Sequence, residues 1–100
     1  MRHLLIVEDD TDTWDLFRHA LNGLHCTITC VPDVDEALRL LTSGFRHAPP
    51  QLLVTDWHVA GGDGIELCRK IRAMGIDLPI ILMTSAQEAL PKDVVPDLAL

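Results

Sequence analysis

Four short runs of consecutive apolar residues constrain the fold more than any other feature of the sequence. They are rich in Leu, Ile and Val and cover residues 3–7, 25–31, 52–55 and 79–83. A strand that is apolar at successive positions is buried on both faces, as happens when helices cover both sides of a parallel sheet. The runs therefore predict four strands of an α/β sheet.

The three segments between these runs carry apolar residues at helical spacing, and each begins at a capping residue and ends near a glycine. The caps are Asp10 or Thr11 for the first helix, Asp33 with Glu36 in a capping box for the second, and Asp63 for the third. The predicted buried stripes are Trp14, Phe17, Leu21 and Leu24, then Val34, Ala37, Leu38 and Leu41, then Ile65, Leu67, Cys68, Ile71 and Met74.

The alternation of strands and helices predicts a doubly wound, flavodoxin-like α/β fold with strand order 2-1-3-4. A chain of 100 residues accommodates one domain. We expect residues 1–100 to form that domain, with a regular pattern to about residue 86 and an irregular tail over 87–100.

The charge and the N-terminal sequence exclude several classes of function. Eight Lys and Arg stand against 15 Asp and Glu, a formal net charge of −7, so direct nucleic-acid binding is not expected. The first apolar run is interrupted by acids after Val7, too early for a signal peptide or a membrane span. We therefore expect a cytoplasmic protein.

The cysteines Cys26, Cys30 and Cys68 are an odd number without CxxC spacing, which favours reduced, buried thiols. Cys26 and Cys30 lie within one predicted strand, too far apart for a disulfide. A metal site at His25 and Cys26 is disfavoured because adjacent strand residues point to opposite faces.

Polar residues with oxygen donors follow three of the predicted strands. Glu8, Asp9 and Asp10 leave the first strand, Asp56 ends the third and Thr84 follows the fourth. Single acids at such places commonly cap helices or start turns. In an open parallel sheet, however, the carboxyl ends of neighbouring strands share one crevice, so these side chains are expected to converge.

Converging carboxylates repel one another, and a Mg²⁺ ion bound by oxygen ligands removes that repulsion. With the charge neutralised, the Asp56 carboxylate can attack a phosphoryl group, and Thr84 can donate a hydrogen bond to a phosphoryl oxygen. The acids thus predict a magnesium site that carries out phosphoryl chemistry.

The sequence resembles the receiver domains of two-component response regulators, the CheY-like superfamily. The resemblance rests on four motifs, namely LLIVEDD at 4–10, LVTD at 53–56, GDG at 62–64 and IILMTS at 80–85. It implies that Asp56 is the phosphoacceptor and that Glu8 and Asp9 form the Mg²⁺ pocket, with Asp10 peripheral or a cap. It also implies that the main-chain carbonyl of His58 is a metal ligand.

In this family the phosphoryl donor is a sensor histidine kinase or a phosphotransfer protein. The domain is not a separate enzyme, but it catalyses its own phosphorylation and its own dephosphorylation. The resemblance implies both for this chain, together with Thr84 as the hydroxyl that follows the phosphoryl group.

The resemblance is incomplete in two places. Ala60 stands where receivers usually carry a proline, and the fourth helix, the fifth strand with its lysine, and the last helix are not recognisable. Lys92 follows Thr84 too closely to be expected to replace that lysine. Pro91 and Pro96 also disfavour a continuous helix in the tail.

A missing fifth strand leaves the strand over 80–83 as an exposed sheet edge. Three explanations are open: the chain is a C-terminally incomplete receiver, the tail around 94–100 supplies a substitute strand, or two copies pair through the edge. Incompleteness combined with a homodimer is the favoured one.

The predicted function is therefore a phosphoacceptor switch, and the alternative is a pseudo-receiver that only binds proteins. Ala60 and the missing lysine favour the alternative, whereas the acid set and Thr84 favour the switch. A free-standing phosphatase with an aspartyl nucleophile is disfavoured. Such enzymes carry an Asp-x-Asp motif, whereas Asp56 is followed by Trp57 and His58. A dinucleotide site is disfavoured because residues 61–64 lack the required glycine spacing.

Overall fold

The fold was analysed in a computed structural model, which describes residues 2–44, 49–59, 62–83 and 98–99. Its main sheet has five parallel strands in the order β2-β1-β3-β6-β7, and a separate antiparallel pair joins β4 to β5. The strands are β1 (Arg2–Val7), β2 (Cys26–Val31), β3 (Leu52–Asp56), β4 (His58–Val59), β5 (Gly62–Asp63), β6 (Ile80–Met83) and β7 (Leu98–Ala99).

The described residues include three α-helices, which lie between strands of the sheet. They are α1 (Thr11–Ala20), α2 (Val34–Arg39), which continues as a π-helical stretch over Leu40–Gly44, and α3 (Gly64–Ala73). The caps are those the sequence predicts, since the side chains of Asp10, Asp33 and Asp63 each accept a hydrogen bond from a backbone N–H of the first turn. Gly75 follows α3 with a positive φ of 74°, a conformation that glycine adopts without strain.

The helices lie on both faces of the sheet, which confirms the doubly wound fold. On one face Leu5, Val7 and Leu53 pack in a buried cluster with residues of α2 and α3. On the other face Leu4, Ile6 and Val54 form a smaller cluster that is covered by partly buried residues, among them Phe17 of α1 and Leu21, which caps the end of that helix. The predicted order 2-1-3-4 is the observed order β2-β1-β3-β6, because β4 and β5 lie outside the main sheet.

The two faces differ in how deeply their helices are buried. Helix α3 contributes five buried residues, whereas α1 contributes none. Two residues of the predicted stripes are wrong: Leu24 is 57% exposed and Met74 is 43% exposed. Both lie beyond the last residue of their helix, where the helical spacing no longer directs a side chain toward the sheet.

The favoured explanation left the sheet edge beside β6 bare, and the structure differs from it at this edge. β7 pairs parallel with β6, joining Ile81 to Leu98 and Leu82 to Ala99. A tail strand therefore occupies part of the edge that was predicted to be bare, as in the second of the three explanations. The homodimer through this edge stays a prediction. It would have to pair through the part of β6 that β7 leaves unpaired.

The cysteines are free thiols, as the sequence predicts, but only Cys68 is buried. Cys26 and Cys30 are half-buried, which corrects the expectation that all three are buried. They lie on the thinly covered α1 face, and burial raises the pKa of the Cys30 thiol. No helix in the described part of the chain is long and apolar enough to cross a membrane.

Candidate functional site

The register of the sheet places the acids of β1 and β3 side by side at its carboxyl end. Val7 pairs with Thr55 in the parallel ladder, so the next residues, Glu8 and Asp56, leave the sheet at the same level. The carboxyl group of Glu8 contacts the side chains of both Asp9 and Asp56. Of the residues expected to converge, Glu8 thus lies beside Asp9 and Asp56.

Glu8 is held at three points. Its backbone N–H donates to the carbonyl of Val31 at 3.0 Å, and its own carbonyl accepts a hydrogen bond from Nε1 of Trp14 at 2.6 Å. Its Oε1 atom accepts a third from the backbone N–H of Asp10 at 3.0 Å. The residue is only 6% exposed, so the carboxyl group is fixed and largely removed from water.

This environment changes the acidity of Glu8. Burial is the largest cause of a raised pKa at Glu8. Together with the neighbouring Asp9 and Asp56 side chains, and against the lowering effect of the Asp10 N–H, it raises the pKa of the Glu8 carboxyl from 4.5 to about 7. When this buried carboxyl is ionised beside two other acids, its negative charge is not compensated by them. A cation bound here would compensate that charge.

Asp56 ends β3 as a half-buried residue, and its backbone is enclosed by the start of α3. A Cβ atom at Gly64 would lie 2.2 Å from the Asp56 carbonyl oxygen, so no larger residue fits there without a backbone shift. The Gly64 N–H donates to the Trp57 carbonyl at 2.6 Å, and the Trp57 N–H donates to the Met83 carbonyl at 3.0 Å. Packing of backbone against backbone therefore fixes the position of Asp56.

The remaining predicted site residues have different outcomes. Asp9 is exposed, and Asp10 is the N-cap of α1, as the peripheral role expected for it requires. The backbone of His58 pairs with Asp63 in the β4–β5 ladder, two residues beyond Asp56. Thr84, Ala60 and Lys92 lie outside the described residues.

Sequence reasoning missed two residues of the site. Trp14 was assigned only to the apolar stripe of α1, and its indole N–H gave no signal that it would reach Glu8. Gly64 was noted only within the GDG motif, and its close approach to Asp56 depends on a contact between distant elements. The second glycine of that motif, directly after the cap Asp63, is the one sequence signal that suggested close packing there.

The donor set fits a hard divalent cation. Mg²⁺ binds carboxylate and carbonyl oxygens, commonly through one or two carboxylates together with water and phosphate. Within residues 2–44, 49–59, 62–83 and 98–99, no group of three or more His, Cys, Asp or Glu side chains is arranged to hold a metal ion. The fit therefore rests on the oxygen chemistry of the acids and on the contact of Glu8 with Asp9 and Asp56.

Comparison with known proteins identifies a family model that matches this chain and several similar proteins. The family model for the response regulator receiver domain matches residues 4–95. A 14.6 kDa protein of Leptolyngbya boryana is 38% identical over 84 residues, which are 82% of this chain and 61% of that protein. Response regulator MprA of Mycobacterium ulcerans is 34% identical over 82% of this chain and 34% of its own length. The chain thus spans less than two thirds of the length of these relatives.

Solved structures have the same fold. The crystal structure of response regulator TrrA from Thermotoga maritima, in complex with Mg²⁺-BeF, matches with a TM-score of 0.83 and 24% identity over 100% of this chain and 85% of that chain. A response regulator from Chloroflexus aurantiacus matches with a TM-score of 0.82 and 25% identity over 99% of this chain and 83% of its own. TrrA in complex with the histidine kinase ThkA matches with a TM-score of 0.81 and 24% identity over 100% of this chain and 84% of that chain.

Proposed function

The chain belongs to the response regulator receiver domain family of two-component systems, and from this premise we propose that it accepts a phosphoryl group on Asp56 from a histidine kinase or a phosphotransfer protein, with Mg²⁺. The observation that carries the proposal is the contact of the buried Glu8 carboxyl with Asp56 and Asp9 at the carboxyl end of the sheet. A set of acids this close is costly unless it serves a cation.

The residues have separate roles in the proposed reaction. A carboxylate oxygen of Asp56 attacks phosphorus, the new O–P bond replaces the P–N bond of the phosphohistidine donor, and the electron pair of that bond leaves with the imidazole. Glu8, Asp9, Asp56 and the carbonyl of His58 would hold Mg²⁺, and Thr84 would donate a hydrogen bond to a phosphoryl oxygen. When bound, the metal neutralises the charge of the acids and of the phosphoryl oxygens.

The fixed backbone of Asp56 contributes by orientation. Because Gly64 and Trp57 anchor the end of β3, the backbone from which the Asp56 carboxylate projects is held in one place. Glu8 is held in the same way by its three hydrogen bonds. Glu8 and the backbone of Asp56 are therefore positioned before phosphoryl transfer begins.

A neighbour's complex supports the proposed partner. TrrA binds the histidine kinase ThkA, and we propose that a sensor kinase of this class donates the phosphoryl group to this chain and that the chain acts in the cytoplasm. The formal net charge of −7 supports proteins, in preference to nucleic acid, as the direct partners of this domain. Phosphorylation is proposed to shift the population of conformations that an output partner recognises.

The second candidate is a receiver that binds a protein partner without being phosphorylated. Ala60 favours it, because it stands in place of the usual proline four residues after the phosphoacceptor. The two candidates differ in whether the acids bind a metal together with a phosphoryl group, so a phosphoryl mimic separates them.

Beryllofluoride binding tests the proposal. Trp57 is next to Asp56, so its fluorescence should change when beryllofluoride and Mg²⁺ are added together, and beryllofluoride without Mg²⁺ should have little effect. The Asp56→Asn variant should show no beryllofluoride response because it lacks the carboxylate. A folded wild-type protein that gives no response at any Mg²⁺ concentration contradicts the phosphoacceptor and favours the binding module.

A further inference from the structure

The turn that carries the acids is tied to the middle of α1 by one side chain. Nε1 of Trp14 donates to the backbone carbonyl of Glu8 at 2.6 Å across a half-buried contact. That carbonyl belongs to the peptide unit that joins Glu8 to Asp9. Its orientation therefore sets the direction in which the chain, and with it the Asp9 side chain, leaves Glu8.

Among the described residues, α1 contacts the sheet mainly through partly buried side chains. The helix has no buried residue, and the cap bonds of Asp10 hold only its first turn, to Asp12 N at 3.1 Å and to Thr13 Oγ1 at 3.2 Å. Phe17 and Leu21 contact the sheet as partly buried residues. The backbone N–H groups of Thr13 and Trp14 donate to the Asp10 carbonyl at 3.1 and 3.3 Å, as in an ordinary helix start. Within the described part of the chain, the indole bond is the one hydrogen bond between α1 and Glu8.

We propose that Trp14 is a positioning residue for the acid site, orienting the peptide unit between Glu8 and Asp9 so that their oxygens face a cation together with Asp56. The inference rests on the proposed function for the identity of the cation. It assigns to Trp14 a role that the apolar stripe of α1 does not require, since a phenylalanine would cover the sheet equally well.

The hydrogen bond has a measurable expected contribution. A neutral hydrogen bond contributes about 1 kcal/mol, and 1.4 kcal/mol corresponds to a factor of ten in an equilibrium constant. Removing the indole N–H frees the peptide unit, so the acids must be ordered when the cation binds. We expect the dissociation constant for Mg²⁺ to rise about fivefold, from the conversion of that contribution.

The test compares Trp14→Phe with Phe17→Leu and wild type, each titrated with Mg²⁺ alone in a calorimeter, because a signal that does not depend on tryptophan is unaffected by the loss of Trp14. Trp14→Phe keeps an aromatic ring and removes only the donor, whereas Phe17→Leu removes a ring from the same helix and leaves Glu8 untouched. We expect weaker Mg²⁺ binding in the first variant and unchanged binding in the second, even where both lower the melting temperature. Equal Mg²⁺ affinities in wild type and a folded Trp14→Phe overturn the inference.

A measurement on the wild-type protein avoids dependence on a variant that fails to fold. The indole N–H resonance of Trp14 should be protected from exchange with solvent and should shift on addition of Mg²⁺. An indole proton that exchanges freely and does not respond to Mg²⁺ overturns the inference. If wild type itself binds no Mg²⁺, the proposed function fails, and that outcome is distinct from a Trp14→Phe variant that binds Mg²⁺ as well as wild type.

Discussion

The two faces of the sheet are built in different ways, and the acid site lies where they meet. On the α3 face, the buried cluster joins the strands to α2 and α3, and residues such as Leu67 and Ile71 are 0% exposed. On the α1 face, three buried strand residues are covered by partly buried neighbours. One face is held mainly by apolar packing, and the other depends more on individual polar contacts.

This difference extends into the site. Asp56 is fixed from the α3 side by the close approach of Gly64. Glu8 is held by a backbone hydrogen bond to Val31 of β2 and, at the start of α1, by hydrogen bonds from Asp10 and Trp14. A close-packed interior resists displacement, while a few hydrogen bonds can be exchanged for water. The acceptor half of the site is therefore expected to be rigid and the Glu8 half adjustable.

The largest expected effect compares one apolar truncation on each face. Ile71→Ala should lower the free energy of unfolding by about 4 kcal/mol, because it leaves a cavity in a fully buried cluster. Phe17→Ala, at a half-buried position, should lower it by about 2 kcal/mol. Urea unfolding of both variants, with the exposed Leu16→Ala as control, measures the contrast. Equal losses at Ile71 and Phe17 would show that the faces are equally packed.

The pH dependence of stability tests the Glu8 half. The folded-state pKa of Glu8, about 7, lies above its ordinary 4.5, so the folded protein binds the additional proton between these values. This contribution to stability is fully present below pH 4.5 and is lost as the pH rises through about 7. At 1.36 kcal/mol per pKa unit, the loss approaches about 3 kcal/mol without a divalent cation.

Unfolding at pH 5 and at pH 8, with and without Mg²⁺, measures this loss. Mg²⁺ should restore part of the stability at pH 8, because it favours the ionised carboxyl. Glu8→Gln should remove this component of the pH dependence. An identical pH profile in Glu8→Gln and wild type contradicts the assignment.

The next effect concerns the rigid half. Gly64→Ala places a Cβ against the Asp56 carbonyl oxygen, and the resulting backbone shift should cost about 2 kcal/mol of stability. It should also slow phosphorylation of Asp56 more than stability alone explains, because the carboxylate is displaced. Gly23→Ala is the matched control, since a Cβ there meets no atom within 4 Å although its φ of +91° is strained. If Gly64→Ala is phosphorylated at the wild-type rate, the close approach of Gly64 to Asp56 does not contribute to phosphorylation.

The smallest expected effect compares two helix caps. Asp63→Ala should lower global stability by about 1 kcal/mol, because α3 cannot lose its first turn without disturbing the buried cluster. Asp10→Ala should lower it by only about 0.5 kcal/mol, because the exposed first turn of α1 can open locally. Amide exchange in the two first turns, read beside thermal unfolding, distinguishes local from global opening.

Much of this architecture could be predicted from local sequence signals. The apolar runs and the caps Asp10, Asp33 and Asp63 are local in the chain, and each gave an element that the structure contains. The convergence of Glu8, Asp9 and Asp56 followed from the parallel order of the strands, because such sheets align their carboxyl ends.

The rest depends on contacts that no local pattern records. Leu24 and Met74 continue a helical spacing past the point where their helices end, and the spacing alone does not mark that end. The hydrogen bond from Trp14 to Glu8 and the approach of Gly64 to Asp56 arise only when separate elements pack together. The β7 pairing with β6 likewise joins residues far apart in the chain.

The most direct test of the account is phosphoryl transfer to the intact chain, followed by intact-protein mass. The protein is incubated with Mg²⁺ and acetyl phosphate, or with a phosphorylated histidine kinase, and compared with Asp56→Asn under the same conditions. The account predicts a mass increase of one phosphoryl group in wild type, dependent on Mg²⁺, and none in Asp56→Asn. A folded wild-type protein that gains no phosphoryl group, or an equal gain in Asp56→Asn, would contradict the assignment of Asp56.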